Sequence, residues 1–146
     1  NDDCVLISKL NPRFHKVWLP DIQNTDLRPI TSTEFLIAVP TKRASKEYIY
    51  TLFWMPKFIG DYRSLVTGTS SSHQRVKWQS FLKMQALLPS YEIIDKFTSI
   101  CSDMYNRVHA NKRENQTLAE LRDTLLPRLI SGELRVEDVS EFVGDV

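Results

Sequence analysis

The apolar positions of the chain change their period along its length. Cys4 to Ser8 is a short apolar run and Phe14 to Leu19 a second, with Asn11-Pro12 between them, so a hairpin-like opening of two strands joined by a turn is predicted. Glu34 to Val39 is a continuous run closed by Pro40, the pattern of a strand buried on both faces. The spacing then becomes helical. Ser45 stands as an N-cap before Tyr48, Ile49, Leu52 and Phe53, which share one face until Pro56 stops the helix. Thr67 to His73 is polar and reads as a loop, after which Trp78, Phe81, Leu82, Met84, Leu87 and Leu88 are expected to return the chain to the core. Residues 1–89 therefore read as a small α+β domain carrying exposed loops.

Beyond Pro89 the pattern is helical throughout. From Tyr91 to Leu126 no Gly or Pro interrupts 36 positions, enough for a helix roughly 54 Å long. A heptad frame runs through Ile93, Phe97, Ile100, Met104, Arg107, Asn111, Glu114, Leu118, Leu121 and Leu125, apolar at both ends and polar in the middle. Two readings are open. One is a single long helix whose seam packs on another helix, with Arg107, Asn111 and Glu114 setting its register. The other is a pair of shorter helices separated at Asn111–Glu114, where Ala110-Asn111-Lys112 is a weak helical stretch. Pro127 is expected to open a last short helix and Ser131-Gly132-Glu133 to end it.

Composition is that of a folded globular chain: 146 residues, 42% hydrophobic, 25% charged and 10% aromatic, enough for one domain with an appendage. The four glycines, at 60, 68, 132 and 144, form no phosphate-cradling loop of either common spacing, which argues against the usual nucleotide folds. Cys4 and Cys101 make neither a disulfide framework nor a metal-ligand spacing, so no metal is expected and a reduced, cytoplasmic setting fits. No apolar run is long enough for a membrane span, and the first residues lack both a signal-peptide pattern and an initiator Met; a piece of a longer protein is expected.

The net charge of +1 conceals a division. Residues 1–89 carry 12 Lys+Arg against 7 Asp+Glu, a balance of +5, and residues 90–146 carry 7 against 11, a balance of −4. A basic first part joined to an acidic helix points to a polyanion met by the first part alone.

The candidate chemistry lies in that basic part. Asn11-Pro12-Arg13-Phe14 superficially resembles the Asn-Pro-Pro-aromatic motif of amino-methyltransferases, but Arg13 replaces the second proline and no Gly-rich motif accompanies it, so it reads as a turn. Thr69, Ser70, Ser71 and Ser72 beside His73 lack a nucleophile elbow and an orienting carboxylate, which argues against a catalytic serine. The same loop suits nucleic acid better. Thr69, Ser71, Ser72, His73 and Lys77 offer hydroxyls, an imidazole and an ammonium to phosphates, and Gln74 and Arg75 have the bidentate geometry that reads adenine and guanine edges. Lys9, Arg13, His15 and Lys16 form a second basic cluster. Lys42-Arg43 and His109 read as solvated surface.

The C-terminal run Thr117-Leu118-Ala119-Glu120-Leu121-Arg122-Asp123-Thr124-Leu125-Leu126-Pro127-Arg128-Leu129-Ile130-Ser131-Gly132-Glu133-Leu134 resembles the recurrent ending of the DNA-specificity subunits of type I restriction-modification systems. Ser32-Thr33-Glu34-Phe35 and Thr67-Gly68-Thr69-Ser70-Ser71-Ser72-His73-Gln74-Arg75-Val76 resemble two motifs of that family's target-recognition domain, and Leu87-Leu88-Pro89 its step into the spacer helix. The resemblance implies a DNA-reading domain over residues 1–89 that lacks its N-terminal portion, a spacer or dimerisation helix over 90–131 and a tail over 132–146. It implies a non-catalytic chain that directs adenine methylation and restriction by modification and restriction subunits. S-adenosylmethionine, ATP and Mg are then expected only on those partners. The helix would pair in a coiled coil through Phe97, Ile100, Met104, Leu118, Leu121 and Leu125, with the first half of the same subunit or a second copy. A reading from another class is a coiled-coil scaffold with no nucleic-acid role; it accounts for the seam but not for the division of charge.

Overall fold

The computed structural model of the chain describes residues 3–21, 30–67 and 74–135. Its fold is α+β, with small sheets, short helices and one long C-terminal helix. Strands β1 (Val5–Ser8), β2 (Val17–Trp18) and β3 (Phe35–Ala38) form an antiparallel sheet in the order β2-β1-β3. All four residues of β1 are buried, and Val5 and Ile7 fully so. Cross-strand partners share a face, so Ile7 lies between Val17 and Leu36, and Leu6 between Trp18 and Ile37 on the opposite face. Asn11 turns the chain toward β2 at φ 49°, a left-handed conformation that Asn tolerates better than most residues, and the Phe14 N–H donates to its carbonyl at 2.9 Å.

Two strand expectations are corrected. The run Glu34 to Val39 is not buried on both faces: β3 is a sheet edge, and Ile37 is 54% exposed. Full burial falls instead on β1, the middle strand, whose two edges are paired by β2 and β3, a place that apolarity alone does not assign. The strand expected over Phe14 to Leu19 shortens to Val17–Trp18.

Helix α1 (Lys46–Trp54) begins as expected, with the Ser45 hydroxyl accepting the Tyr48 N–H at 3.2 Å. Pro56 ends it and at once opens α2 (Pro56–Ser64), a helix not anticipated from the sequence; proline suits a first helical position because its missing N–H would be unpaired there anyway. Phe53 of α1 stacks on Phe58 of α2 at 4.8 Å between ring centroids, and Phe58 on Tyr62 at 5.9 Å. Tyr62 is fully buried, and its hydroxyl donates to the Ser8 carbonyl at 2.9 Å, joining α2 to the end of β1. Burial pushes this phenol well above its ordinary pKa, so it stays a donor at any physiological pH.

Strands β4 (Val66–Thr67) and β5 (Arg75–Val76) pair antiparallel, and the single-turn helix α3 (Trp78–Phe81) follows. The return to the core is narrower than expected. Phe81 meets Phe53, Phe58 and Tyr62 edge-on, and Met84 is half-buried, whereas Trp78, Leu82, Leu87 and Leu88 are exposed.

Helix α4 runs without interruption over Tyr91–Ile130. Asn111 to Glu114 do not break it, because extending an existing helix adds a hydrogen bond for each residue fixed, which outweighs weak local propensity. Pro127 continues this helix and does not open a new one. At its beginning Ile94 is buried, Phe97 meets Tyr48 edge-on at 6.4 Å, and Thr98 hydrogen-bonds with the Ser45 hydroxyl at 2.7 Å. The Tyr48 hydroxyl donates to the Leu87 carbonyl. The chain divides into two compact units, Asn1–Asp103 and Met104–Val146. The first therefore extends past Pro89 to include the opening turns of α4. Within the second, Gly132 takes a left-handed φ of 75° just after the helix, and Arg128 pairs with Glu133 at 3.1 Å, so Ser131-Gly132-Glu133 terminates α4 as expected.

Tyr62→Phe keeps the ring but leaves the Ser8 carbonyl without its donor. A loss of about 1–3 kcal/mol is expected in urea denaturation followed by tryptophan fluorescence.

Candidate nucleic-acid interface

The chain leaving β1 is held from both sides. The Lys9 N–H donates to the Glu34 carbonyl at 2.8 Å, and the Lys9 carbonyl accepts the Val76 N–H at 3.0 Å. Leu10 bridges to Arg75, and the Asn11 N–H donates to the Gln74 carbonyl at 2.9 Å. The β4/β5 pair, in which Thr67 stands opposite Arg75, is thereby joined to the exit of β1. On the other side the Ser8 N–H donates to the Lys16 carbonyl at 3.0 Å. Two basic clusters about sixty residues apart in sequence therefore meet at one end of the sheet.

Lys16 and Lys77 are exposed and Lys9 is half-buried; none has an ion-pair partner among the described residues. The Arg13 guanidinium lies 4.8 Å from the Phe14 ring centroid, a cation–π contact that leaves it at the surface. Its backbone is fixed by Arg63, whose guanidinium donates to the Pro12 and Arg13 carbonyls at 3.3 and 3.0 Å. Gln74 is half-buried, with its carbonyl committed to Asn11. Arg75 is exposed over about half its side chain and pairs with Glu34 at 3.1 Å. Thr69, Ser71, Ser72 and His73 lie outside the described residues. The arrangement offers separated cations and one carboxylate-paired guanidinium, that of Arg75, which suits a phosphate backbone with a base edge beside it.

One member of the predicted basic cluster is corrected. His15 is half-buried: its Nε2 donates to the Phe53 carbonyl at 2.8 Å, and its ring lies edge-on to Trp54 and Tyr62. Burial lowers its pKa below the ordinary 6.5, partly offset by the bond to Phe53 and reinforced by the nearby Arg63 charge. It is a half-buried anchor of the turn whose burial disfavours the charged form.

Sequence reasoning missed Glu34 and Arg63 as parts of this site. Glu34 was read as the beginning of a strand and as part of the Ser32–Phe35 motif, but not as a partner of Arg75; an acidic side chain opening an apolar run within a basic half was the available signal. Its Oε2 and the Oδ1 of Asn11 are buried with no hydrogen bond.

On α4, Ile100, Met104, Leu118 and Leu121 are exposed and Leu125 is half-buried. Phe97 differs from these, being engaged with Tyr48 of its own chain. The neighbouring register position also differs from the heptad reading: Ile94 is buried and Ile93 is 59% exposed.

The fold and this site define a class: an α+β module with a cationic strand exit and a long C-terminal helix. Known proteins supply its relatives. The chain is 29% identical over 104 residues to the type I restriction enzyme HindI specificity subunit of Haemophilus influenzae, a match covering 71% of this chain and 22% of that protein. It is 36% identical over 53 residues to the type I restriction enzyme MjaIX specificity subunit of Methanocaldococcus jannaschii, covering 36% of this chain and 12% of that one. The chain is thus similar over part of its length to type I restriction-enzyme specificity subunits, and the matches span less than a quarter of those proteins' length. No family model matches the chain, and no solved structure does. Among the described residues no helix is long and apolar enough to cross a membrane.

The lowered pKa of His15 has a defined sign. Below about pH 6.5 the unfolded chain takes up a proton that the folded chain resists, so stability declines on acidification until the folded imidazole is also protonated. His15→Gln keeps a donor toward Phe53 and is expected to flatten the dependence of the urea midpoint on pH between about 7.5 and 5.5.

Proposed function

We propose that this chain is a target-recognition module of a type I restriction-modification specificity subunit, reading one part of a double-stranded DNA target so that partner subunits methylate adenine or restrict there. The observation that carries the reading is the meeting of Lys9, Arg13 and Lys16 with Gln74, Arg75 and Lys77 at the exit of β1. Lys9, Arg13, Lys16 and Lys77 take phosphates, Arg75 and Gln74 read base edges, and Thr69, Ser71, Ser72 and His73 add hydroxyl and imidazole contacts. Chemistry belongs to the modification and restriction subunits, with S-adenosylmethionine, ATP and Mg on them; this chain supplies the address. The two relatives, both specificity subunits, support the assignment.

The acidic helix stays off the duplex and acts as a spacer. A split target needs a fixed distance between its readers, which a helix provides and a flexible linker does not. Its pairing seam begins at Ile100, since Phe97 is engaged in the body, and continues through Met104, Leu118, Leu121 and Leu125. A scaffold without nucleic acid would use the same seam but leaves the gathered cations without a role.

Duplex binding across a salt series tests the reading. Affinity is expected to fall steeply with salt, and Lys9→Ala or Lys16→Ala to weaken all duplexes alike while reducing the slope of log K against log salt by about 1 each. An intact subunit with its modification partners that binds no DNA at low salt overturns the reading. For the seam, the double substitution Leu118→Asp and Leu121→Asp is expected to abolish helix-mediated association in sedimentation; an unchanged mass counts against it.

A further inference from the structure

We infer that Glu34 is a positioning residue that makes Arg75 a reader of bases and not a ligand of phosphates; this rests on the DNA-reading function proposed above. Among the described residues proposed to contact DNA, Arg75 is the one held by a carboxylate: its Nη2 lies 3.1 Å from the Glu34 Oε1. Lys9, Lys16 and Lys77 have no such partner among the described residues.

The pair is anchored by backbone on both sides. Lys9 accepts the Val76 N–H and donates to the Glu34 carbonyl, and Leu10 bridges to Arg75, so Glu34 and Arg75 flank the exit of β1 on neighbouring segments. The carboxylate is not free to swing away without cost. Its Oε2 is buried and takes no hydrogen bond, so the Arg75 guanidinium is the charge partner that compensates it. The Arg75 side chain is 55% exposed, against 30% for Glu34, which leaves the outer part of the guanidinium to solvent.

This geometry discriminates between two acceptors. A guanidinium presents five N–H donors in a fixed fork, and one edge can stay on the carboxylate while another faces outward. A phosphate arriving there meets a neutralised cation with a fixed anion behind it, and like charges oppose its approach. The O6 and N7 of guanine carry no net charge and accept two parallel N–H bonds without that opposition. The ion pair therefore removes Arg75 from sequence-independent binding and keeps its fork aimed for a base. The free lysines beside it supply the non-specific attraction.

The test uses the full specificity subunit with a random-sequence duplex as probe and an in vitro selection from a random duplex pool as the second readout. Glu34→Gln is expected to bind the random duplex several-fold more tightly, with a salt slope steeper by about 0.9 as Arg75 becomes available to one more phosphate. The selected target should become less sharply defined. Glu34→Asp is expected to restore much of the wild-type slope. In an Arg75→Ala background, Glu34→Gln should change the slope far less. A second variant, Arg75→Lys, retains the charge without the fork and is expected to keep random-duplex affinity while losing selectivity. If the wild type shows salt-dependent DNA binding but Glu34→Gln leaves slope and selectivity unchanged, this inference fails and the DNA-reading function stands. If Arg75→Lys selects the same target as sharply as the wild type, the inference likewise fails. A wild-type subunit that binds no duplex at low salt overturns both.

Discussion

Everything at the proposed DNA face depends on where β1 ends, and that point is held by the Tyr62 hydroxyl on the Ser8 carbonyl. Tyr62 belongs to a stack of rings from α1, α2 and α3, so the hydrogen bond transfers the rigidity of an aromatic core to the last residue of a fully buried strand. Beyond Ser8 the backbone has no helix or sheet interior to protect it. Its groups are satisfied instead by Glu34, Gln74 and Val76, and this requirement brings the β4/β5 pair to the same place. The position of the cations is thus a by-product of satisfying the backbone from Lys9 to Asn11.

The charges at this place are not equivalent, although composition treats them so. Lys46 and Lys57 are spent on Asp3 and Asp61, and Arg63 on two backbone carbonyls. His15 is desolvated and neutral-leaning. At the exit of β1, Lys9, Arg13, Lys16 and Lys77 have no carboxylate partner among the described residues, and beside them stands an arginine restrained by its carboxylate. Surface ion pairs contribute little to stability, so the significance of these pairings lies in which cations they leave free.

The long helix carries a hydrophobic repeat of which the body of the chain covers only the beginning. A heptad frame was present, and the helix forms along its whole length. Yet the residues that pack on the body are Ile94, Phe97 and Thr98, next to Tyr48 and Ser45, while Ile93, Ile100 and Met104 stay exposed. One helix carries two apolar stripes offset by a single residue. Only the docking partner decides which of them is core, because a heptad frame records spacing and not the presence of a neighbour.

The elements with local signals were legible in the sequence: the Ser45 cap, the Asn11 turn, the helix after Pro89 and its glycine terminus each depend on a few adjacent residues. So was the likeness to specificity subunits, carried by contiguous motifs and matched by two relatives. The tertiary structure decided what contiguity does not contain. It chose β1 over β3 as the buried strand, and made Pro56 a beginning as well as a stop. It withdrew His15 from the surface and joined Leu10 to Arg75 across more than sixty residues of chain. Each of these outcomes depends on which distant segment supplies a hydrogen bond or excludes water, and neither pattern nor composition specifies that partner.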